Sequence, residues 1–199
     1  MTTSTNEFWA GQFGNDYARR NQDRVAANIA LFGRILAMTE NLESVVEFGC
    51  GTGQNLEAIH HLMPDIALTG VEINQHAASL CRVGEIHVRP ILDPELHVEA
   101  DMAITKGVLI HQHPDTLHDV YQRLYSAARR YILVAEYYNP TPVEVEYRGH
   151  AGKLWKRDFA GELLDRYPGD LTLLDCGFAY HRGPFPQDDI TYFLLEKQT

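Results

Sequence analysis

The stretch Val45-Val46-Glu47-Phe48-Gly49-Cys50-Gly51-Thr52-Gly53-Gln54-Asn55 decides how the rest of this chain is interpreted. It opens with a short apolar run, as a buried strand does, and a helix-like segment begins at Leu56. The three glycines between them let the backbone turn sharply and approach a ligand closely. The first N–H groups of the following helix are free to bind that ligand. Strand, glycine turn and helix in this order indicate a nucleotide-binding site.

The spacing of the glycines narrows the choice of nucleotide. The dinucleotide fingerprint is G-x-G-x-x-G/A, whereas here Gly53 comes one position early and Gln54 stands where that pattern needs Gly or Ala. Glu47 is unfavourable beside a pyrophosphate and suits a cationic ligand or its amino group. The form E-x-G-x-G-x-G resembles motif I of the class I S-adenosylmethionine-dependent methyltransferases. A nicotinamide-dependent oxidoreductase and a glycine turn without a ligand are the alternatives.

A second acid supports a cofactor site. Glu72 lies near the carboxyl end of the second predicted strand, Leu68–Asn74, and 19 residues after Gly53. An acid at about this distance, at the carboxyl end of a neighbouring strand, can accept hydrogen bonds from both ribose hydroxyls. The alternative is an exposed acid at the end of a strand. Ile73 is expected to form an apolar wall for the adenine.

The predicted S-adenosylmethionine site draws on several strand ends and on the N-terminal segment. Arg20 is assigned to the carboxylate of the cofactor, with a solvated surface arginine as the alternative, and residues 90–92 are assigned to the adenine. The cofactor-binding residues predicted in this way are Tyr17, Arg20, Glu47, Gly49, Cys50, Gly51, Gly53, Asn55, Glu72, Ile73, Pro90, Ile91, Leu92, Lys106, Gly107 and Val108.

Composition limits the class of partner. The chain has 199 residues and a net charge of −10, with a pI near 5.4, which argues against nucleic acid or an anionic membrane as the main partner. No apolar run reaches the ~20 residues of a membrane span. The three cysteines have no metal-ligand spacing, so we expect reduced thiols, no metal and a cytoplasmic protein. The sequence does not specify an oligomeric state.

The chain is predicted to form one domain over residues 1–199, with residues 1–40 as an N-terminal lid or helical extension. Residues 1–6 are polar and are expected to be disordered. Phe8, Trp9 and Phe13 lie in a glycine-punctuated segment, which is consistent with a lid over the site and equally with a packed extension.

Two side chains are candidates for a catalytic base. His111 lies in the loop after the fourth predicted strand, and Glu136 ends the fifth. The loops beyond the carboxyl ends of parallel strands carry the sites of α/β proteins. A hydroxyl acceptor needs a base nearby. The alternative for His111 is a purely structural histidine.

Residues 141–158 are predicted to be an insertion on the substrate side. No acid lies between Tyr147 and Arg157, a stretch that includes Arg148, His150 and Lys153. In an acidic chain this local excess of positive charge indicates an anionic small-molecule substrate. A solvated charged loop is the alternative. The predicted substrate residues are Trp9, Tyr137, Tyr138, Asn139, Tyr147, Arg148, His150 and Arg157.

The pattern of strands and helices predicts an α/β fold. Five strands alternating with helices are followed by two final strands, Leu171–Tyr180 and Ile190–Glu196, which would form a hairpin. We therefore expect a three-layer, Rossmann-like class I methyltransferase fold, with a mostly parallel seven-stranded sheet that ends in an antiparallel hairpin.

Motifs along almost the whole chain resemble one family of small methyltransferases. They are Glu7-Phe8-Trp9 with Gly14 and Arg20-Asn21, Thr105–His111, Glu136-Tyr137-Tyr138-Asn139-Pro140, Tyr147–His150 and Lys156–Ala160. In this combination they resemble the pseudaminic acid biosynthesis-associated methylases. The resemblance implies methyl transfer to an intermediate of a nonulosonic acid pathway. A methyltransferase of another secondary-metabolite pathway, directed to oxygen, nitrogen or a carboxylate, and a non-catalytic S-adenosylmethionine-binding protein are the alternatives.

Overall fold

A seven-stranded sheet forms the centre of the molecule in the computed structural model, which describes residues 5–21 and 24–198. The strand order is β3-β2-β1-β4-β5-β9-β8. The strands of this sheet are β1 (Ser44–Phe48), β2 (Ala67–Glu72), β3 (Glu85–Val88), β4 (Ala100–Lys106), β5 (Ala128–Glu136), β8 (Leu171–Ala179) and β9 (Ile190–Lys197). A separate two-stranded ladder consists of β6 (Val143–Glu144) and β7 (Trp155–Lys156).

Strand directions match the predicted fold. β3, β2, β1, β4 and β5 pair in parallel, whereas β9 pairs antiparallel with β5 and with β8. The register aligns Phe48 with Val71 on one side and with Thr105 on the other. The carboxyl ends of β1, β2 and β4 therefore meet at one edge of the sheet. The prediction of a mostly parallel sheet closed by an antiparallel hairpin is confirmed.

Helices cover both faces of the sheet. They are α1 (Thr5–Ala10), α2 (Gln12–Arg20), α3 (Val25–Leu36), α4 (Gln54–Leu62), α5 (Gln75–Ala78), α6 (Leu117–Ala127) and α7 (Phe159–Arg166). Val45 packs with α3 and α4 in one core cluster, and Val46 packs with α6 and α7 in the other. Successive side chains of a strand point to opposite faces. The apolar run in β1 thus supplies both cores of a three-layer fold.

Several boundaries differ from those that the sequence predicts, which are a third strand near Glu85–Ile91, a short helix around His76–Arg82 and a fifth strand from Tyr131. β3 ends at Val88, two residues before Pro90, which has no N–H to donate to a ladder. α5 is only four residues long, and β5 already begins at Ala128. An aspartate is a favoured N-cap residue, so Asp158 is expected to start a helix, and its side chain does accept a hydrogen bond from the Gly161 N–H at 2.8 Å in front of α7.

The N-terminal part is helical. Residues 1–4 lie outside the described residues, so the predicted disorder is not addressed there, and Thr5 already belongs to α1. α2 follows with a short break at Gly11. Within residues 5–21 and 24–198, no helix is both long and apolar enough to cross a membrane.

Candidate active site

A cavity of about 930 Å³ opens at the edge where the parallel strands end. The glycine loop, the ends of β2 and β4, the segment after β3 and the N-terminal helices surround it. Most of the predicted cofactor residues line it, namely Tyr17, Gly49, Cys50, Gly51, Asn55, Glu72, Ile73, Pro90, Ile91, Leu92, Lys106, Gly107 and Val108. Arg20, Glu47 and Gly53 do not line it.

Two glycines of the loop meet different surroundings. Gly49 has φ +70°, and a Cβ there would lie 2.6 Å from Val108 Cγ2. Gly51 has φ +56°, and a Cβ there would meet nothing within 4 Å. Both need the left-handed conformation that glycine adopts without strain. Gly49 therefore allows close packing of the loop against the turn after β4, whereas Gly51 leaves open space toward the cavity.

Glu72 is fixed against the glycine loop. Its Oε2 accepts the N–H of Gly51 at 2.8 Å, and its Oε1 accepts the N–H of Asn74 at 2.7 Å. Burial raises the pKa of this carboxyl, while the two backbone donors oppose that shift. Each carboxylate oxygen can accept a second hydrogen bond. The side chain lines the cavity, so its remaining acceptor capacity suits a pair of neighbouring hydroxyls.

Glu47 lies behind the cavity wall and reaches it only through Asn55. Its Oε1 accepts the Asn55 amide N–H at 2.5 Å. Glu47 Oε2 and Asn55 Oδ1 are buried and have no hydrogen-bond partner among the described residues. Burial raises the pKa of Glu47 to about 7, and nearby Lys106 opposes the shift. An unpaired carboxylate oxygen together with an unpaired amide oxygen suits an amino or ammonium donor, so these residues fit the amino acid part of S-adenosylmethionine.

The structure places Arg20 away from the cavity, contrary to its predicted role. The Arg20 guanidinium lies 5.8 Å from the centroid of the Phe13 ring, and the side chain is exposed. Arg24, which the sequence did not single out, lines the cavity and pairs with Asp188 at 3.0 Å. The two arginines are one helical turn apart in sequence, so the pattern alone could not separate them. Gly53, with φ +76°, is the N-cap residue that precedes α4.

α1 and α2 form a cover over the cavity and are attached to it by Asn74. The Asn74 amide N–H group donates to the Trp9 carbonyl and to Asn15 Oδ1, each at 3.0 Å. The side-chain oxygen Oδ1 of Asn74 accepts the N–H of Ala77 at 2.8 Å and so caps α5. One side chain therefore joins the cover to the segment that follows Glu72.

An aromatic cluster joins the same cover to the insertion, residues 141–158. We define it as Phe8, Trp9, Phe13, Tyr17, His111, Tyr147 and His150. The ring centroids of Trp9 and His111 are 4.6 Å apart, and those of Phe8 and Phe13 are 4.1 Å apart. His150 contacts Phe8 at 5.1 Å, and Tyr147 contacts His111 at 4.8 Å. The N-terminal helices, the turn after β4 and the insertion thus share one packed surface.

His111 lies on the wall of the cavity in a defined orientation. Its Nδ1 is 2.6 Å from the Lys153 carbonyl oxygen. Because a carbonyl can only accept, Nδ1 carries the proton and Nε2 keeps its lone pair. Burial lowers the pKa of His111 to about 4, so the ring is neutral near pH 7. It can accept a hydrogen bond but is a weak base.

The structure contradicts a catalytic role for Glu136. Its carboxylate is fully buried and accepts the N–H groups of Val108 and Leu109 at 3.0 Å, with Ile110 at 3.4 Å. Burial raises its pKa to about 7 against the effect of these donors. Glu136 does not line the cavity of about 930 Å³. It satisfies the first N–H groups of the short 3-10 helix at Leu109–His111, so it holds the turn that carries His111.

A second cavity of about 400 Å³ adjoins the first. Tyr137, Tyr147 and Arg148 line it, while Trp9 and His150 line the larger cavity. The remaining predicted substrate residues, Tyr138, Asn139 and Arg157, line neither. His181, Asp188 and Asp189 also line the second cavity. Sequence reasoning missed these three residues, because they lie in the connection of the C-terminal hairpin.

The residues assigned to the substrate but absent from both cavities have other partners. Arg157 pairs with Glu162 on α7 at 2.7 Å, and Tyr121 donates to the same carboxylate at 2.8 Å. Asn139 donates to the Thr141 carbonyl at 2.5 Å, and Tyr138 packs against the Phe193 ring. Glu162 follows the stretch without acids, so the local charge count did not include it.

The insertion is more regular than its sequence suggests. β6 and β7 pair in antiparallel fashion, and Tyr147 and His150 exchange two backbone hydrogen bonds at 2.9 and 3.0 Å. Leu154 and Trp155 are buried. Among the described residues no group of three His, Cys, Asp or Glu side chains could hold a metal ion.

Solved structures with this fold provide the comparison with known proteins. Magnesium protoporphyrin IX methyltransferase from Synechocystis PCC 6803, crystallised with S-adenosylmethionine, is similar over 99% of this chain and 99% of its own, with TM-score 0.68 and 12% identity. The 1,6-didemethyltoxoflavin-N1-methyltransferase of Burkholderia thailandensis, with bound S-adenosylhomocysteine, is similar over 98% and 87%, with TM-score 0.68 and 17% identity.

An amino pentose methyltransferase from Micromonospora echinaspora, with bound S-adenosylmethionine, is similar over 94% of this chain and 96% of its own, with TM-score 0.65 and 11% identity. No family model and no curated sequence matches the chain. At identities this low, the similarity shows the fold and does not show the substrate. The chain has the Rossmann-like fold of the class I S-adenosylmethionine-dependent methyltransferases.

Proposed function

We propose that the protein is an S-adenosylmethionine-dependent methyltransferase that acts on a small, anionic metabolite. The observation that carries the proposal is the arrangement at the larger cavity. There Glu72 is held against the glycine loop, and the unpaired acceptors of Glu47 and Asn55 lie at the same loop. The solved structures with this fold contain S-adenosylmethionine or S-adenosylhomocysteine, which supports both the cofactor and the activity.

The residues divide between cofactor and substrate. Glu72 binds the ribose, residues 90–92 and Ile73 enclose the adenine, and Asn55 receives the amino group. When bound, S-adenosylmethionine supplies a methyl group that is already activated as a sulfonium. The protein therefore contributes mainly position, and it excludes water through the cover formed by α1 and α2. The chain acts as one domain in the cytoplasm, with residues 141–158 on the substrate side.

Arg148 supports the anionic character of the substrate. Its guanidinium lies 5.8 Å from the centroid of the Tyr147 ring, and it makes no ion pair with another described residue. An arginine in this state can bind a carboxylate through two parallel hydrogen bonds. Lys156, by comparison, lies over the Tyr137 ring at 5.3 Å, and Arg157 is already neutralised by Glu162.

His111 orients the acceptor at the cofactor end of the cavity. Its Nε2 lone pair can receive a hydrogen bond from a hydroxyl or an amine. The solved methyltransferases of this fold bear the names of a porphyrin, a toxoflavin precursor and an amino pentose, so the fold allows very different acceptors. We favour an acidic sugar of the nonulosonic type, as the motifs suggest, over another secondary metabolite.

The direct test combines binding with transfer. Calorimetry with S-adenosylhomocysteine and with NAD separates a methyltransferase from an oxidoreductase. Incubation with methyl-labelled S-adenosylmethionine and a panel of acidic sugars and small metabolites then identifies the acceptor. Binding of S-adenosylhomocysteine without transfer to any compound would favour a non-catalytic binding protein. Tighter binding of NAD would contradict the proposal.

Arg148→Ala tests the anionic substrate separately. We expect the KM for the acidic acceptor to rise about tenfold or more, because a charge-assisted pair is lost, while the affinity for S-adenosylhomocysteine stays unchanged. Arg82→Ala, on the exposed surface, is the control. An equal loss of both affinities would assign Arg148 to the cofactor side instead.

A further inference from the structure

One wall of the smaller cavity has no role in the proposed function. The smaller cavity shares Tyr17, Lys106, Gly107 and His111 with the larger cavity. A molecule in it would therefore lie next to the cofactor, at the end away from Glu72. The connection between β8 and β9 forms its other side through His181 and Asp189.

His181 is held by Asp189 in one orientation. Both Asp189 carboxylate oxygens lie 2.8 Å from His181 Nδ1, and Asp189 Oδ1 also accepts the backbone N–H of His181 at 2.9 Å. A carboxylate can only accept, so Nδ1 carries the proton and the lone pair is on Nε2. About half of the side chain is exposed, so the ring is open to solvent.

Backbone conformation marks the same cavity. Asp189 has φ +54° and Arg148 has φ +52°. Among the described residues only one other residue that is not glycine, Asn41, has a positive φ. The left-handed region is costly for such side chains, and residues held there cluster at functional sites. Arg148 and Asp189 stand on different segments, yet both line this cavity.

Neither of the two bases predicted from the sequence is well suited to remove a proton from an acceptor. Glu136 is occupied by the N–H groups of Val108 and Leu109 and lines neither cavity. His111 is enclosed between Trp9 and Tyr147, where burial makes protonation unfavourable. An acceptor that loses a proton therefore needs another group, and His181 is the remaining histidine on the wall of the smaller cavity.

We propose that the smaller cavity binds the methyl acceptor and that His181, positioned by Asp189, removes a proton from its hydroxyl or amino group. The inference rests on the proposed function. The O–H bond of a hydroxyl, or one N–H bond of an amino group in its ammonium form, breaks, and the proton passes to His181 Nε2. The electron pair left on the acceptor atom forms the bond to the methyl carbon, while the pair of the methyl–sulfur bond stays on sulfur. His181 then releases the proton to water. Transfer is thus directed to oxygen or nitrogen, and not to a carboxylate.

Four variants test the assignment: His181→Gln, His181→Ala, Asp189→Asn and the control His61→Gln, whose side chain is exposed on α4. The probes are methyl-labelled S-adenosylmethionine with glucuronic acid, N-acetylneuraminic acid or glucosamine as acceptors, and acetate as an acceptor with a carboxylate alone. Calorimetry with S-adenosylhomocysteine measures the cofactor site independently. Nitrogen NMR of ¹⁵N-histidine-labelled protein reports which ring nitrogen of His181 carries the proton.

We expect His181→Gln to lower kcat roughly 100-fold or more, the usual effect of losing a general base, with KM and the affinity for S-adenosylhomocysteine nearly unchanged. Added imidazole should restore part of the activity of His181→Ala, which a purely structural role would not produce. Asp189→Asn should reduce kcat less and should disturb the Nδ1–H tautomer in the NMR spectrum. His61→Gln should match the unmodified protein.

Two results would overturn the inference alone: an active enzyme in which His181→Gln keeps its kcat, and a product formed only from acetate. Binding of S-adenosylhomocysteine without transfer to any of the four acceptors would overturn the inference and would also favour a non-catalytic binding protein. A protein that neither binds S-adenosylhomocysteine nor transfers a methyl group would overturn the proposed function as well. The calorimetric measurement distinguishes these cases.

Discussion

Glu72 and Glu136 show at the residue scale how backbone contacts set the role of a carboxylate. Both end parallel strands, and both are buried. Glu72 accepts one N–H on each oxygen and still lines the larger cavity. Glu136 accepts three N–H groups from one turn and lines no cavity. Identical positions in the strand pattern thus correspond to an acid that lines the larger cavity in one case and to an acid bound to backbone N–H groups away from it in the other.

Replacing Glu72 tests the ribose assignment. We expect Glu72→Ala to weaken S-adenosylhomocysteine binding more than tenfold, because two charge-assisted hydrogen bonds are lost. Isothermal titration calorimetry gives the affinity. Glu85→Ala, an acid that is 76% exposed on β3, is the control and should bind normally. Unchanged affinity of the Glu72 variant would exclude contact with the ribose.

Glu47 should make stability depend on pH. Burial raises its pKa from the ordinary 4.5 to about 7, so the folded protein holds this proton more tightly than the unfolded chain does. The stability contributed by the group is complete below about pH 4.5 and falls as the pH rises to about 7. Glutamine does not titrate. Relative to the unmodified protein, Glu47→Gln should therefore gain up to about 3 kcal/mol across this window.

Urea unfolding of both proteins at several pH values measures this difference directly. A comparison between two proteins is needed because the titration of His111 changes the stability with pH in the opposite direction. Burial lowers the pKa of His111 to about 4. Glu99→Gln, on an exposed acid, should run parallel to the unmodified protein. If Glu47→Gln also ran parallel, Glu47 would have an ordinary pKa in the folded state.

At the scale of elements, the cover formed by α1 and α2 depends on a few contacts with the rest of the molecule. Asn74 holds the backbone near Trp9 and the side chain of Asn15. The aromatic cluster adds contacts with His111 and Tyr147. Sequence reasoning left a lid and a packed extension equally open. The contacts show a packed cover over the cavity, while its movement is still a prediction.

The substitution Asn74→Asp tests the attachment of the cover without removing the cap of α5. Aspartate still caps α5, but it places an acceptor opposite the Trp9 carbonyl and Asn15 Oδ1. Each lost hydrogen bond is worth about 1 kcal/mol, so we expect amide exchange in α2 to become roughly tenfold faster or more. Hydrogen–deuterium exchange with mass spectrometry measures this against α5 as the internal reference. Equal exchange in both proteins would mean that the aromatic cluster alone holds the cover.

At the scale of the whole molecule, the cofactor should stabilise the folded state. S-adenosylhomocysteine at about 100 times its Kd should add about 2.7 kcal/mol, because it binds only the folded protein. For a chain of this length, this corresponds to a rise in Tm of roughly 5–10 °C. Differential scanning calorimetry checks it, with NAD at the same concentration as the control. An equal rise with NAD would contradict the choice of cofactor.

Much of the architecture could be predicted because it depends on local patterns. Apolar runs and glycine spacing identified β1, the turn after it and the pairing of Glu72 with that turn. The insertion could not be predicted in the same way. β6 and β7 have two residues each, which is too short for an alternating pattern. The ion pair of Arg157 with Glu162 needs the fold of α7 before it can form.

The sequence by itself determined the order of strands and helices along the chain, the glycine loop and most of the residues that line the larger cavity, because these features depend on neighbouring residues. Only the tertiary structure decided which charged groups face the two cavities. Arg24 lines the cavity and Arg20 does not, Glu136 binds backbone N–H groups, and His181 with Asp189 comes from the far end of the chain. The role of a charged side chain depends on the partners that folding brings next to it. Separation along the sequence does not reveal those partners. The glycine loop and Glu72 therefore support the proposed cofactor, while the walls of the smaller cavity support the proposed site of the acceptor.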